Sequence, residues 1–104
     1  MSNYFNESFT IEADEETLDK IGNFLSALPL PQINAPCVKK FEFTRTKEFI
    51  TSSFKTMDSS FIHVIDSIAF NYPEAFGYFS SMNEETGELV EVLICGGYFI
   101  QKTR

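Results

Sequence analysis

Alternating apolar and polar positions open the chain. One side of a period-two pattern carries Phe5, Phe9, Ile11 and Ala13, whereas the positions between them are mostly polar. This is the pattern of a strand with one buried face. Glu7 interrupts the apolar side, so we expect it to lie near the edge of a sheet. The first element is therefore predicted to be a strand.

Helical spacing follows this strand. Asp14 can accept hydrogen bonds from the free amides of a first helical turn. Apolar residues then recur three or four positions apart, at Leu18, Ile21, Phe24, Leu25 and Leu28. Pro29 and Pro31 end the predicted helix. The segment 29–36 contains three prolines and is predicted to be a stiff connection.

The middle of the chain is predicted to hold one strand and two helices. The strand spans Val38–Thr44, with its two phenylalanines facing inward. Residues 45–57 have apolar positions at helical spacing and are interpreted as a helix, although their Ser and Thr residues are poor helix formers. Asp58 is then predicted to cap a helix that ends near Asn71, before a proline. Its apolar stripe comprises Phe61, Ile62, Ile65, Ile68, Ala69 and Tyr72.

The last third of the chain is predicted to form antiparallel strands. Strands are expected at Ala75–Met82, Glu88–Cys95 and Tyr98–Lys102. A turn at residues 83–87 is expected to join the first two. Gly87 suits the left-handed backbone that such a hairpin loop requires. Gly96 and Gly97 predict a second turn or a bulge.

The predicted order of elements is β-α-β-α-α-β-β-β, which indicates an α+β fold. We expect a single two-layer domain over residues 1–104, with a mostly antiparallel sheet and two or three helices on one face, as in a ferredoxin-like or related sandwich. A chain of 104 residues with 43% hydrophobic residues suffices for one core. Because there are twelve Phe and no Trp, phenylalanine rings are expected to fill much of it.

The cysteines and the start of the chain indicate a cytoplasmic protein. The sequence has only two cysteines, Cys37 and Cys95, and they are far apart along the chain, which favours a reducing compartment. Cys95 falls in an apolar run and is expected to be a small buried side chain. The first residues lack the basic and apolar regions of a secretory signal. No stretch is long enough to span a membrane.

No residue pattern indicates catalysis, a metal site or a cofactor. His63 is the only histidine, and Asp66 could orient it toward a thiol if the two share a helix face. A solvated pair on the polar side of a helix is the simpler interpretation. Gly96 and Gly97 precede neither a helix nor the Lys-Ser/Thr pair of a phosphate-binding loop. We expect a non-enzymatic protein.

Three aromatic residues near the end, Phe76, Tyr78 and Phe79, resemble the stacking platforms of proteins that bind single-stranded nucleic acids. Such platforms lie in basic surroundings, whereas no Lys or Arg occurs between residues 56 and 101. The net charge of −7 also disfavours direct contact with nucleic acid or an anionic membrane. Core packing is therefore expected for all three rings.

Charge is segregated along the chain. Before residue 39 there are six acidic residues and one basic residue, residues 39–55 are basic overall, and residues 56–101 contain seven acidic residues. Helix dipoles and solvated turns account for each cluster taken alone. If the two acidic segments converge, they form a field of one sign that steers a basic partner. The candidate partner-binding residues are Glu12, Asp14, Glu15, Glu16, Asp19, Glu84, Glu85, Glu88 and Glu91.

Three functional hypotheses follow, and the weakest of them is an enzyme or small-ligand binder that uses Cys37 or Cys95 with His63. The first is a small acidic protein that inhibits or neutralises a basic partner, such as a nuclease, a toxin or a defence complex, as an immunity protein or a mobile-element anti-defence protein would. The second is a structural or assembly protein that forms homodimers by pairing at its sheet edge, since the terminal segment 98–101 is apolar.

Overall fold

The computed structural model describes residues 3–28, 41–57 and 61–103, which form one sheet covered by helices. The strands are β1 (Tyr4–Glu12), β2 (Thr44–Arg45), β3 (Phe49–Met57), β4 (Phe76–Asn83), β5 (Leu89–Cys95) and β6 (Tyr98–Thr103), and the helices are α1 (Glu15–Ala27) and α2 (Ile62–Asn71). The strands pair antiparallel in the order β2-β3-β1-β4-β5-β6. The buried sides of both helices join the same core. The predicted α+β class is confirmed.

The central strand is β1, which pairs with β3 on one side and β4 on the other. From β1 to β4 the elements follow the order β-α-β-β-α-β, which is the order found in ferredoxin-like folds. β5 and β6 then extend the sheet beyond β4. Fold alone assigns no function, because function depends on the residues that form a site.

Phenylalanine rings fill the centre of the core, as the composition predicts. Phe61, which precedes α2, is fully buried and lies 4.8 Å from Phe54 and 6.2 Å from Phe9, ring centre to ring centre. Phe41 stacks on Phe61 at 5.2 Å. Edge-to-face and offset stacked pairs of this kind are favourable at these separations. The alternation of β1 thus delivers Phe9 to a core that both helices close.

The helix predicted over residues 45–57 is wrong, because this segment forms β2, a turn and β3. Ile50, Ser52, Phe54 and Thr56 alternate inward along β3 and are all buried. Ile50 and Phe54 are four residues apart, so their spacing fits a helical period as well as a strand period. The Thr and Ser residues that weaken a helix are tolerated in a strand. The order of elements is accordingly β-α-β-β-α-β-β-β.

The strand predicted at Val38–Thr44 is also shifted. Residues 38–40 lie outside the described part of the chain, and residues 41–43 form no strand. Phe41 and Phe43 are nevertheless partly buried against the core, as expected. The regular structure begins only at Thr44.

The helix boundaries largely follow the sequence signals. The carboxylate of Asp14 accepts a hydrogen bond of 2.7 Å from the Thr17 amide, so Asp14 is the N-cap of α1. α2 ends at Asn71 as predicted, whereas the predicted cap at Asp58 and the predicted stop at Pro29 and Pro31 fall outside the described residues. Neither helix in the described part of the chain combines the length and apolar character needed to cross a bilayer.

Both predicted turns of the C-terminal hairpins are present. The side-chain oxygen of Asn83 accepts hydrogen bonds from the amides of Glu85 and Thr86, at 2.9 and 3.2 Å. Gly87 follows with a φ of 76°, the left-handed conformation that favours glycine. Gly96 and Gly97 have φ values of 57° and 85° and connect β5 to β6 in two residues, as in a type I′ hairpin.

Glu7 is not near the sheet edge, contrary to the sequence interpretation. It lies in the central strand on the helix-covered face, and only 3% of its surface is exposed. Its two carboxylate oxygens lie 3.1 and 2.9 Å from the amide nitrogen of Phe61. The hydroxyls of Thr56 and Ser81 lie 3.2 and 3.0 Å from one of them and can donate to it.

This carboxylate supplies the N-terminus of α2 with a cap from another element. The N-cap residue Phe61 offers no side-chain oxygen of its own. In a capping box, a glutamate inside the helix accepts the hydrogen bond from the N-cap amide. Here Glu7 of β1 accepts that bond, so one buried side chain joins β1, β3 and β4 to the start of α2.

Candidate functional site

The two predicted acidic clusters do not converge. Glu12, at the end of β1, is opposite Phe76 at the start of β4, whereas the amide of Glu84 donates to the carbonyl of Tyr4 at the other end of β1. Along the strand, the eight steps between Tyr4 and Glu12 correspond to about 27 Å. The expected single negative surface is therefore replaced by two acidic ends of one sheet.

Several of the candidate acidic residues have partners within the chain. Asp19 forms an ion pair of 2.7 Å with Arg45, and Glu16 forms one of 3.6 Å with Lys20. Hydrogen bonds from Thr17 hold the pKa of Asp14 below its usual value of 3.8. These three carboxylates therefore stabilise α1 and its contact with β2.

The late acidic cluster, which comprises Glu84, Glu85, Glu88 and Glu91, also contains residues that have partners within the chain. Glu84 forms an ion pair of 2.8 Å with Lys55, and Glu91 accepts a hydrogen bond from the Tyr78 hydroxyl. Glu85 and Glu88 are exposed in the turn between β4 and β5, and no ion pair with another described residue involves them. These two side chains are the part of the late cluster that can meet a partner without breaking an internal contact.

The sheet face opposite the helices, which we call the outer face, carries almost all the large apolar side chains that are exposed. Among the described residues these are Tyr4, Phe76, Tyr78, Met82, Leu93 and Ile100, and the exception is Phe70 on α2. Tyr78, Leu93 and Ile100 are direct neighbours across β4, β5 and β6. Phe76 lies two residues along β4 from Tyr78, on the same face.

These four side chains, Phe76, Tyr78, Leu93 and Ile100, form a continuous apolar patch. Their exposed fractions are 51, 42, 50 and 55%. Single exposed apolar residues are ordinary on protein surfaces, but contiguous groups mark sites of interaction. The apolar patch lies between Glu12 at one end of the sheet and the β4–β5 turn at the other.

Sequence reasoning missed the apolar patch. Core packing was expected for Phe76, Tyr78 and Phe79, but only Phe79 is buried. Cys95 was expected to be buried and is exposed, opposite Phe76. The alternation of β4 contained the signal, since successive residues of a strand point to opposite faces. Because Phe79 is buried on the helix-covered face, Phe76 and Tyr78 lie on the outer face.

Beside the apolar patch the outer face is hollow and carries hydroxyl and amide groups among apolar side chains. The hydroxyls of Ser8 and Ser80 lie 3.1 Å apart. Small side chains on the inner strands leave a shallow groove of about 600 Å³, lined on this face by Asn6, Ser8, Ser53, Lys55, Ser80, Met82 and Leu89. Apolar and polar areas thus adjoin on one surface, as in the core and rim of a protein interface.

At the end of this groove, Lys55 contacts two side chains. Its ammonium group is 2.8 Å from a carboxylate oxygen of Glu84 and 5.5 Å from the ring centre of Tyr4. The Asn6 side chain donates a second hydrogen bond of 2.9 Å to the same oxygen. Hydrogen bonds from Lys55 and then Asn6 keep the pKa of Glu84 below its usual value of 4.5.

Replacing Lys55 with methionine is expected to raise the pKa of Glu84 toward 4.5, because the donor that most favours the charged carboxylate is removed. Carboxyl carbon chemical shifts, recorded against pH, measure this change. Because the folded pKa is lowered, the contribution of Glu84 to stability is present above pH 4.5 and is lost as the pH falls through the folded pKa. An unchanged titration would show that Lys55 does not contact Glu84 in solution.

The described residues that were considered for catalysis, His63, Asp66 and Cys95, lie in two different layers of the fold. His63 and Asp66 are both exposed on α2, and Cys37 lies outside the described residues. Within the described ranges, no group of three or more His, Cys, Asp or Glu side chains could hold a metal ion.

Comparisons with protein-family models, curated proteins and solved structures found no match. The outer face is the candidate site because it carries the exposed apolar patch.

Proposed function

We propose that this protein is a non-enzymatic binding protein of a reducing compartment that blocks a basic partner protein through the outer face. The observation that carries the proposal is the apolar patch, half-exposed and bordered by carboxylates at both ends of the sheet. Aromatic and aliphatic side chains at the centre of an interface supply most of the binding energy. Charged residues at the rim supply selectivity and rate.

The electrostatics of the outer face favour a basic partner. Glu12, Glu91 and the β4–β5 turn bring five carboxylates to this side of the molecule, against the ammonium groups of Lys55 and Lys102. A partner that handles nucleic acid has a basic, phosphate-binding surface of complementary sign. A nuclease, a toxin or a defence complex fits this description, and an immunity or anti-defence protein would act by covering its phosphate-binding surface.

Charge reversal in the β4–β5 turn tests the role of the carboxylates. The double variant Glu85→Lys with Glu88→Lys is expected to slow association with the basic partner about tenfold at low salt, because rim charges steer encounter. The loss should shrink as salt screens the charges. Tagged protein recovers the partner from native cells, and stopped-flow or surface measurements then give the rates.

The structure places Glu15, one of the candidate partner-binding residues, in the first turn of α1 and so away from the outer face. The matched control reverses this carboxylate and one on α2, Glu15→Lys with Asp66→Lys, and changes the net charge equally. We expect this control to bind nearly as fast as the parent protein. Equal slowing by both double variants would show that only the overall charge matters and that the β4–β5 turn is not at the interface. Glu84 is left unchanged because it pairs with Lys55.

A further inference from the structure

The two edges of the sheet are built differently. In the described part of the chain, one edge consists of β2, which pairs with only Ile50 and Thr51, and of the rest of β3, whereas β6 forms the other edge with six residues, Tyr98–Thr103. In the described part of the chain, β6 pairs only with β5. A long edge strand presents backbone N–H and C=O groups that can pair with another strand.

The two-residue hairpin determines which backbone groups face outward. Cys95 and Tyr98 flank the Gly96-Gly97 turn and are its hydrogen-bonded pair, so the following pairs alternate along β5 and β6. Tyr98, Ile100 and Lys102 therefore direct their N–H and C=O groups to β5. Phe99, Gln101 and Thr103 direct theirs away from the sheet.

We propose that β6 pairs antiparallel with β6 of a second copy of this chain, with Gln101 opposite Gln101 of that copy. In this register Phe99 is opposite Thr103 of the second copy. The two-fold axis also places Thr103 opposite Phe99 of the second copy. All three outward-facing residues of each chain then exchange hydrogen bonds. A shift in either direction along the strand leaves some of these groups without a partner.

The chemistry of β6 favours a second copy as its partner. In a chain of net charge −7, this strand carries no carboxylate, and its one ammonium group, Lys102, is opposite Glu91 of β5. Two copies therefore meet where their mutual repulsion is small. Because the pairing uses the same strand of both copies, it is isologous and ends at a closed dimer instead of a fibre.

The pairing also extends the apolar patch. Ile100, which is 55% exposed, lies on the outer face of β6. In the proposed register the Ile100 side chains of the two copies are diagonal neighbours about 7–8 Å apart. The two patches would thus adjoin across the axis, and the dimer would offer two partner-binding faces on one continuous sheet.

Sedimentation velocity tests the dimer directly. The parent protein is expected to have twice the mass of the 11.9 kDa chain. Gln101→Pro should halve that mass, because it removes an outward N–H while the ladder between β5 and β6 keeps its own donors. Gln101→Ala keeps the N–H and should remain dimeric. A monomeric parent at the highest concentration attainable, or a dimer that Gln101→Pro leaves intact, would overturn the proposal.

Cross-linking decides the register even if the proline variant does not fold. In a Cys37→Ser, Cys95→Ser background, Gln101→Cys should give a disulfide-linked dimer, because a hydrogen-bonded pair has its Cα atoms about 5.5 Å apart. Ile100→Cys should not, since its diagonal partner is beyond disulfide reach. The absence of the Gln101→Cys cross-link, or equal cross-linking by both variants, would overturn the register.

Discussion

Replacing Glu7 with leucine is expected to lower the free energy of unfolding by about 3–5 kcal/mol. Glu7 is 3% exposed, and its carboxylate accepts hydrogen bonds from the Phe61 amide and from the hydroxyls of Thr56 and Ser81. Leucine leaves these buried donors without an acceptor, and each such loss costs about 1–3 kcal/mol. Urea unfolding followed by circular dichroism measures the change, which is a large part of a domain's usual 5–15 kcal/mol.

Two further variants test whether the loss comes from the hydrogen bonds of Glu7. Glu12→Gln, on the exposed face of the same strand, should change stability by no more than about 0.5 kcal/mol. Adding Thr56→Val and Ser81→Ala to Glu7→Leu should recover part of the loss, because both partners of each hydrogen bond are then apolar. A Glu7→Leu variant as stable as the parent protein would contradict the role of Glu7 as an acceptor.

Removing the centre of the apolar patch is expected to abolish most of the binding. Tyr78→Thr with Leu93→Thr should weaken the partner complex at least about 30-fold, which corresponds to about 2 kcal/mol. Threonine is favourable in strands, and both side chains are about half exposed, so the fold should be kept. Isothermal titration with the partner recovered from native cells measures the affinity.

Phe70 provides the matched control for this experiment. It is 81% exposed on α2 and so is an even more accessible aromatic residue in the other layer. Phe70→Ala should bind the partner with nearly unchanged affinity. If Phe70→Ala weakens binding and the double variant does not, the interface lies on the helices and the outer face is not the site.

Much of the fold could be predicted from short-range patterns, because its turns and caps are local. Asp14, Gly87 and the Gly96-Gly97 pair each mark a boundary through their own backbone or side-chain chemistry. Residues 45–57 were misassigned because the spacing of Ile50 and Phe54 satisfies both a helical and a strand period. Only pairing with β1 decides between them, and pairing is a long-range property.

The candidate site was harder to predict from the sequence, because it also depends on long-range pairing. The partners of Glu7 come from positions 49, 54 and 74 residues away, so the sequence around it gives no sign of its burial. The separation of the acidic clusters follows from the antiparallel pairing of β1 with β4, which places Glu12 and the β4–β5 turn at opposite ends. The exposure of Phe76 and Tyr78 could have been read from alternation, but their apolar character suggested a core.

Mapping the residues that contact the partner tests most directly whether the outer face is the binding surface. Amide chemical shifts of the ¹⁵N-labelled protein, recorded while the unlabelled partner is added, identify the residues whose surroundings change. We expect the largest changes at Tyr78, Leu93 and Ile100, with smaller ones in the β4–β5 turn and few in α1 or α2. Changes concentrated around Phe70 and the rest of α2, with β4 and β5 unaffected, would contradict this account.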